Sequence, residues 1–596
     1  MTARAKYSFW YLLIALLLPA LFLLSLELTL RLSDVAAKPK FFIESNDFPG
    51  YLQPNPQLLQ RYFPNQSLPL SPDSQFFKAQ KAKGVFRIVV QGESSAAGFP
   101  YGRWGSLQAL LSQRFKRTYP DQQIEVINTA MAAVSSYNLL DFADDIIQLQ
   151  PDLVLIYAGH NEYLGLFGVA SRVHNPGQNW LTQLHLTLLD WHVYRLLNQW
   201  LAPGNPLLTS PDSAEPLMAK LAAGHRVPLD SALYQAGLQQ FSENLHALAD
   251  IYRQAAVPVM IGTLISNEAD QPPLAVTSQS DWAQLSQTPA QADFQQLLAQ
   301  QPAAAAYWQG QQALLHGDTT KAVQSFSHAR DLDELRFRAP AAFNRIIREL
   351  AHSQGLYLVD VEQALRSQYP LFDRQLFLEH VHLNSYGYFL LAEQFYQAIV
   401  HSGLLGPEQQ QVETNVALQD IPLSPLDLAY AALKIDKLHH APPFVPVAIH
   451  WQPKLPQQAW TTLLQQRLQG DNWLRVQQQL LQLLLTQQQW PQAARVAVTL
   501  AEAVPEQAEF LHQAGLIYLN LNELALADYY LSRAVLLETQ QSRYLLNLAQ
   551  VRFLRASYSS SLELLRQAQA LSPDDKRIQS FIDKVKQQQQ PRQGPG

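Results

Sequence analysis

The chain of 596 residues contains no cysteine, which excludes disulfide bonds, thiolate nucleophiles and cysteine-ligated zinc or iron–sulfur sites. Only 15% of the residues are charged and the net charge is −6, so the composition gives no electrostatic basis for binding nucleic acid. A hydrophobic content of 47% is typical of an ordered protein, and the length exceeds what one core normally serves. We therefore expect two or three folded domains and no nucleic-acid partner.

An uncharged apolar run, Ser8 to Leu26, follows two basic residues near the N-terminus. It is long enough to cross a bilayer core of about 30 Å as a helix, and longer than the apolar stretch of about 7–15 residues in a cleaved signal peptide. We predict a signal anchor in residues 1–40, single-pass in the inner (cytoplasmic) membrane, with the bulk of the chain in the periplasm. A signal cleaved near residue 37 is the alternative.

From residue 85 the chain alternates short apolar runs with helix-like stretches. This pattern is typical of a parallel sheet that is covered by helices on both faces. We predict such a domain over residues 85–402, after a leader or linker in residues 41–84 and with helical insertions at 164–231 and 266–340. The predicted strands are Val85–Gln91, Ile124–Asn128, Leu153–Ala158, Val257–Ile265 and Leu356–Val361.

Small residues recur with a fixed period near the C-terminus. Ala493, Ala527 and Ser561 are about 34 residues apart, which is the period of tetratricopeptide repeats. The region resembles three such repeats, and this resemblance implies an all-α domain that binds a protein partner. The predicted boundaries are 403–473 for a linker, 474–575 for the repeats and 576–596 for a polar tail.

A candidate catalytic serine follows the first predicted strand. Ser94 lies on a glycine-flanked turn from a buried strand into a helix, where a hydroxyl can project out of a sheet. Asn161 follows the third predicted strand, and ligand sites of parallel sheets lie beyond the carboxyl ends of the strands. His382, just before the last predicted helix of the domain, is the candidate base. We expect these residues to share one site.

Four blocks of sequence, in this order, resemble the SGNH (GDSL-like) hydrolases. The resemblance covers about residues 85–402 without the insertions, and it implies a flavodoxin-like three-layer α/β fold, cleavage of ester bonds and no cofactor. The blocks are Gly92-Glu93-Ser94, Asn128 to Ala133, Gly159-His160-Asn161-Glu162 and Glu379 to Asn384.

The resemblance also implies a role for individual residues. Ser94 corresponds to the nucleophile, His382 to the general base and Glu379 to the acid that orients the histidine. The oxyanion hole corresponds to the amides of Ser94 and Ala133 and to the side chain of Asn161. Such a donor contributes about 100-fold or more to the rate.

The chain departs from the family pattern at several block positions. Glutamates replace three aspartates and alanines replace two glycines, at Glu93, Glu162, Glu379, Ala130 and Ala133. The extra methylene of Glu379 leaves two alternatives: Asp373 as the orienting acid, or a dyad of Ser94 and His382 without an acid. A metal site at Glu379, His380 and His382 is a third alternative, although we expect no metal. The motif Arg336-Phe337-Arg338 either binds an anionic group of a substrate or belongs to a charged network at a helix junction.

The predicted function is that of a membrane-anchored periplasmic serine esterase. Two alternative functions are consistent with the same sequence. One is an O-acyltransferase that modifies an envelope glycan, and the other is a catalytically weak or inactive scaffold that acts through its repeats. The expected partners are an ester substrate of the acylated glycan or lipid class, a protein bound to the repeats, and the membrane that holds the N-terminal helix.

Overall fold

The structure is a computed structural model and describes residues 3–64, 70–171, 179–201, 226–275, 298–445 and 447–589. Two sheets are present in these ranges, one antiparallel and one parallel. The strands are β1 (Phe42–Glu44), β2 (Tyr51–Pro54), β3 (Phe77–Lys78), β4 (Phe86–Gly92), β5 (Ile124–Asn128), β6 (Leu153–Tyr157), β7 (Val259–Gly262) and β8 (Tyr357–Val359).

The parallel sheet has the strand order β5-β4-β6-β7-β8, which is the flavodoxin-like order. All five predicted strands are present, with ends that differ by a few residues. Strand β6 is buried along its whole length, as expected of a strand with helices on both faces. The predicted α/β fold class is confirmed.

Helices cover both faces of this sheet. Gln91 of β4 bonds the carbonyl of Leu139 on one face, whereas Tyr157, which pairs with the next residue of β4, packs its ring on Phe395 of the opposite layer. In chain order the helices are α1 (Ala3–Leu32), α2 (Ser94–Ala97), α3 (Leu107–Thr118), α4 (Ser136–Ile147), α5 (Asn179–Leu188), α6 (His192–Leu201), α7 (Ala232–Gln254), α8 (Pro302–Leu315), α9 (Thr319–Leu332), α10 (Ala341–Gln354), α11 (Val361–Arg366), α12 (Ser385–Ser402), α13 (Thr414–Ala417), α14 (Pro425–His439), α15 (Thr461–Leu468), α16 (Trp473–Thr486), α17 (Trp490–Ala503), α18 (Ala508–Asn520), α19 (Leu524–Leu537), α20 (Ser542–Leu554), α21 (Tyr558–Leu571) and α22 (Lys576–Gln589).

Residues 41–84, which we predicted to be a leader or linker, carry the antiparallel sheet β1-β2-β3. Phe41, Phe42 and Phe77 are buried in the core of the parallel-sheet domain. Arg61 is buried too, and its guanidinium pairs with the carboxylate of Asp141 on α4 at 2.7 Å. The prolines and polar residues of this segment are typical of a linker, but its aromatic side chains pack into the core of the parallel-sheet domain and make the segment part of that domain.

Each insertion contributes helices. The first carries α5 and α6, and the second carries the hairpin α8–α9, in which Gly310 leaves room for the ring of Phe326. A Cβ on Gly310 would lie 2.7 Å from that ring. Residues 172–178, 202–225 and 276–297 of these insertions lie outside the described residues.

The region after α12 is helical throughout the repeats, as predicted. Paired helices α16 to α21 stack on one another, and the small residues Ala493, Ala527 and Ser561 are fully buried where their helices meet. The predicted linker also contains α13, α14 and α15. The predicted polar tail begins with α22, which buries Ile578 against the last repeat; residues 590–596 lie outside the described part of the chain.

Candidate active site

The turn after β4 carries Ser94 as the first residue of the short helix α2. A Cβ on the preceding Gly92 would lie 2.4 Å from the carbonyl oxygen of Tyr157, so only glycine fits between β4 and β6 there. Gly98 ends α2 with a φ of 87°, a left-handed conformation that favours glycine. The two glycines hold the Ser94 side chain, half-buried, at the carboxyl edge of the sheet.

The predicted catalytic triad residues are in contact. The Ser94 hydroxyl donates a hydrogen bond to Nε2 of His382 over 2.8 Å, and Nδ1 of His382 donates to Oε1 of Glu379. The Glu379 carboxylate also accepts the backbone N–H groups of His380 at 2.7 Å and His382 at 2.9 Å. These bonds fix both the ring orientation and the tautomer that leaves Nε2 free to take a proton.

Burial keeps the His382 imidazole neutral. It lowers the pKa of His382 to about 3, and the nearby Lys434 ammonium adds to the shift. A neutral imidazole with a free lone pair on Nε2 is the form that can act as a general base.

Two of the predicted oxyanion residues, Ala133 and Asn161, lie close together. A Cβ on Gly165 would lie 2.7 Å from the carbonyl oxygens of both Ala133 and Asn161, which places these two backbones next to each other. Ala133 has a φ of 64°, so an L-residue occupies a left-handed position there. Among the described residues, Nδ2 of Asn161 is buried and has no hydrogen-bond partner. This amide is therefore available to donate a hydrogen bond to a bound molecule.

Glu93 organises the loop that carries Asn161. Its buried carboxylate accepts the N–H groups of Gly159 at 2.9 Å, His160 at 2.8 Å and Asn161 at 3.1 Å. Burial raises the pKa of Glu93 to about 8, and the nearby Glu162 carboxylate contributes to the rise. The glutamate in place of the family aspartate therefore reaches across from β4 to the loop after β6.

A second glutamate, Glu162, fixes the start of α4. Its carboxylate accepts the N–H of Ser136 at 3.0 Å, the hydroxyl of Ser136 at 2.7 Å and the amide of Gln240 at 2.5 Å. Burial raises the pKa of Glu162. Ser136 is only three residues after Ala133 in the chain, so these hydrogen bonds also support the second sequence block, Asn128 to Ala133.

The structure gives no support to either alternative, Asp373 as the orienting acid or a metal site. The Asp373 carboxylate accepts the N–H of Gln375 at 2.8 Å and has no described contact with His382. His380 faces Glu379 through its own Nδ1, but the described residues contain no group of three side chains suited to hold a metal ion.

Arg336 and Arg338 belong to a buried structural network. Arg336 donates to the backbone oxygens of Val227 and Asp331, and Arg338 pairs with the carboxylate of Asp333 at 3.0 Å. The motif Arg336-Phe337-Arg338 therefore belongs to a charged network at a helix junction, which is one of its two predicted roles.

Three side chains near the triad were not among the predicted site residues. The ring of Phe99 lies 4.5 Å from that of His382, and Nζ of Lys434 lies 5.3 Å over Phe99 and donates to the carbonyl of Pro100. The ring of Phe444 lies 5.4 Å from that of His380. Lys434 and Phe444 come from the predicted linker, where neither a motif nor a periodic pattern marks them.

No family model matches the chain, and no curated protein matches it. The acetyl xylan esterase AlAXEase is similar over 53% of this chain and 100% of its own length, with 14% identity and a TM-score of 0.26. A catalytic mutant of Axe2, an acetylxylan esterase from Geobacillus stearothermophilus, is similar over 55% of this chain and 97% of its own, with 14% identity and a TM-score of 0.28.

The helical part has its own structural neighbours. The first tetratricopeptide repeat domain of Spaghetti (RPAP3), solved with an HSP90 peptide, is similar over 19% of this chain and 91% of its own, with 16% identity and a TM-score of 0.19. The sheet half is similar to esterases, and the C-terminal part to tetratricopeptide repeat domains. At such identities and scores, the chemistry of this site has to be derived from its own geometry.

Proposed function

We propose that this chain is a serine hydrolase that cleaves ester bonds with Ser94, His382 and Glu379. The observation that carries the proposal is the chain of two hydrogen bonds from the Ser94 hydroxyl through His382 to the buried Glu379. A serine hydroxyl is a weak nucleophile until an adjacent base takes its proton, and this base is held in the required tautomer.

The reaction proceeds in two halves. The Ser94 oxygen attacks the ester carbonyl carbon while its proton moves to Nε2 of His382. The oxyanion then accepts hydrogen bonds from the amides of Ser94 and Ala133 and from Nδ2 of Asn161. When the tetrahedral intermediate collapses, His382 gives its proton to the departing alcohol. His382 then takes a proton from water, whose oxygen attacks the acyl carbon, and the ring returns this proton to the Ser94 oxygen as the acid leaves.

The N-terminal helix bears on the location of the enzyme in the cell. Residues Leu13–Leu32 of α1 are long and apolar enough to cross a membrane, and we propose that α1 is an anchor that leaves the sheet domain and the repeats in the periplasm. The repeats contribute no group to the triad. We propose that they bind a protein partner and that the ester substrate is an acylated glycan or lipid of the cell envelope.

The direct test is covalent labelling of the full chain with a fluorophosphonate probe. The wild type should be labelled, and Ser94→Ala should not be. Ser95→Ala is the matched control, because this neighbouring serine is buried and its hydroxyl makes only a 3.4 Å contact with the carbonyl of Val381. Equal labelling of wild type and Ser94→Ala would contradict the proposed nucleophile.

The same material separates the alternatives. A wild type that is never labelled would favour the scaffold hypothesis. If labelling occurs, an acylated glycan is incubated with an acceptor sugar and the products are analysed. Free acid as the main product supports hydrolysis, and acyl sugar as the main product supports the O-acyltransferase instead.

A further inference from the structure

The first insertion leaves large apolar side chains in solvent. They lie on α5, on α6 and on the turn between them: Trp180, Trp191, Leu197, Trp200 and Leu201. Within α6, Leu197, Trp200 and Leu201 have the i, i+3, i+4 spacing of one helix face. Trp200 is 80% exposed and Leu201 is 75% exposed. Contiguous exposed apolar patches of this kind mark interaction surfaces.

This patch adjoins the end of the long apolar helix α1. The Glu27 carboxylate, near the end of α1, accepts the N–H groups of His192 at 3.2 Å and Val193 at 2.9 Å, so it caps the start of α6. Arg31 donates to the carbonyl of Asp190 at 3.1 Å. The helix α6 is therefore attached to the C-terminal end of α1.

Further polar contacts hold this pair in place on the sheet domain. Arg195, the buried arginine of α6, donates to the backbone oxygens of Ala36 at 3.0 Å and Arg61 at 3.1 Å. Lys38 bonds the carboxylate of Asp190 at 2.7 Å. The apolar face of α6 thus has a defined position relative to α1 and to the domain.

We propose that α5 and α6 lie in the interfacial layer of the bilayer that α1 crosses, with their tryptophans and leucines against lipid. This rests on the proposed membrane span of α1. A bilayer that covers Leu13–Leu32 extends to the end of α1, where α6 is attached. Leu28 and Leu32 of α1 are also exposed there, so the lipid-facing surface continues from α1 onto α6. Tryptophan favours this depth, because its ring is apolar and its N–H meets water and headgroups.

The absence of cysteine makes the test direct, since one introduced cysteine carries one probe. The full chain is reconstituted in phosphatidylcholine–phosphatidylglycerol nanodiscs with an environment-sensitive fluorophore on Leu197→Cys or Leu201→Cys. Lipids brominated either near the headgroup or deep in the acyl chain serve as quenchers. Leu18→Cys, in the middle of α1, reports the span itself, and Leu315→Cys, on the exposed end of α8, is the control.

We expect the probes on Leu197→Cys and Leu201→Cys to lose about half of their emission with the shallow bromolipid and less with the deep one. The probe on Leu18→Cys should show the reverse order, and the probe on Leu315→Cys should be unaffected by both. Quenching at Leu18→Cys without quenching on α6 would overturn the interfacial proposal and leave the anchor standing. Protection of the α6 probes from aqueous iodide without lipid quenching would indicate a protein on this face, which also overturns it. No quenching at Leu18→Cys would overturn both.

Discussion

The sheet half and the repeat half of this chain are held together by contacts of different range. In the sheet half, the bond between Ser94 and His382 joins residues 288 positions apart, and Glu93 reaches the loop of Asn161 68 positions away. In the repeats, each helix packs mainly on the next, and even the bond between His512 of α18 and Asn547 of α20 spans only 35 positions. The active site therefore needs the whole sheet domain, whereas a repeat needs only its neighbours.

The two halves nevertheless share an interface. Trp104 of the sheet half stacks on Trp473 with ring centres 5.6 Å apart, and Lys116 pairs with Glu502. Helix α14 contacts both halves. Its residue Leu426 lies in the core of the repeats, and its residue Lys434 lies beside the triad. Helix α14 thus joins the core of the repeats to the surroundings of the active site.

The largest expected effect is confined to the sheet half. Ser94→Ala and His382→Ala should each lower kcat on a nitrophenyl ester by about 10⁴-fold or more, and the double variant should be no slower than either one, because the two residues act as a unit. Circular dichroism should show an unchanged fold. Additive losses in the double variant would mean that the two side chains work in separate steps.

The next effect tests a long-range contact of the sheet half. Glu93→Ala leaves three buried N–H groups without an acceptor and frees the loop of Asn161, so kcat should fall about 100-fold. The free energy of unfolding should fall by roughly 2 kcal/mol or more. Steady-state kinetics and urea unfolding measure both. Full activity in a destabilised variant would show that Glu93 supports the fold but does not position Asn161.

A smaller effect tests the interface between the halves. Glu502 accepts hydrogen bonds from Gln113 and Lys116, and Glu502→Ala should lower the free energy of unfolding by about 2 kcal/mol, because a largely buried lysine loses its partner. Calorimetry should then show the repeats and the sheet domain melting further apart.

Glu509→Ala is the control for this interface, since the described partners of Glu509, namely Gln513, Arg543 and Tyr544, all lie within the repeats. It should change stability by less than about 1 kcal/mol. Equal shifts from the two variants would mean that the interface contributes nothing of its own.

The smallest effect concerns helix α14. The Lys434 ammonium lowers the pKa of His382, so Lys434→Met should raise it. Because the neutral ring is the active form, the acid limb of kcat/KM should move to higher pH, by less than about one unit. Lys437→Met, on the same helix over the ring of Trp451, should leave the limb in place. A shift to lower pH would contradict the assigned role of Lys434.

Much of the fold follows from local patterns in the sequence. The five central strands are apolar runs with helices between them, and the repeats are marked by small residues such as Ala493 and Ala527 at helix crossings. The elements in the predicted linkers, 41–84 and 403–473, are harder to predict from the sequence, because these helices and strands are stabilised by residues that are distant in the chain. Phe41 and Phe77 each belong to a pair of adjacent phenylalanines in a proline-rich segment, and only the three-dimensional core explains their position.

The residues of the active site divide in the same way, into those that sequence motifs mark and those that only the folded structure brings together. The motif blocks bring Ser94, Glu379 and His382 into one prediction, and the structure places them in contact. Lys434 and Phe444 could not be predicted, since a single lysine and a single phenylalanine between domains carry no pattern. In the sequence Glu93 is only a departure from the family pattern, whereas in the structure its three backbone partners explain the carboxylate at this position.

The Glu27 cap of α6 also has a consequence for the order of events during synthesis. The chain emerges from the ribosome N-terminus first, so Glu27 is made well before His192 and Val193, which lie 165 and 166 positions later. Until those residues arrive, Glu27 can pair only with Arg31 in its own helix. The apolar helix is thus complete before its docking site exists, and the contact between the two can close only after His192 and Val193 have been made.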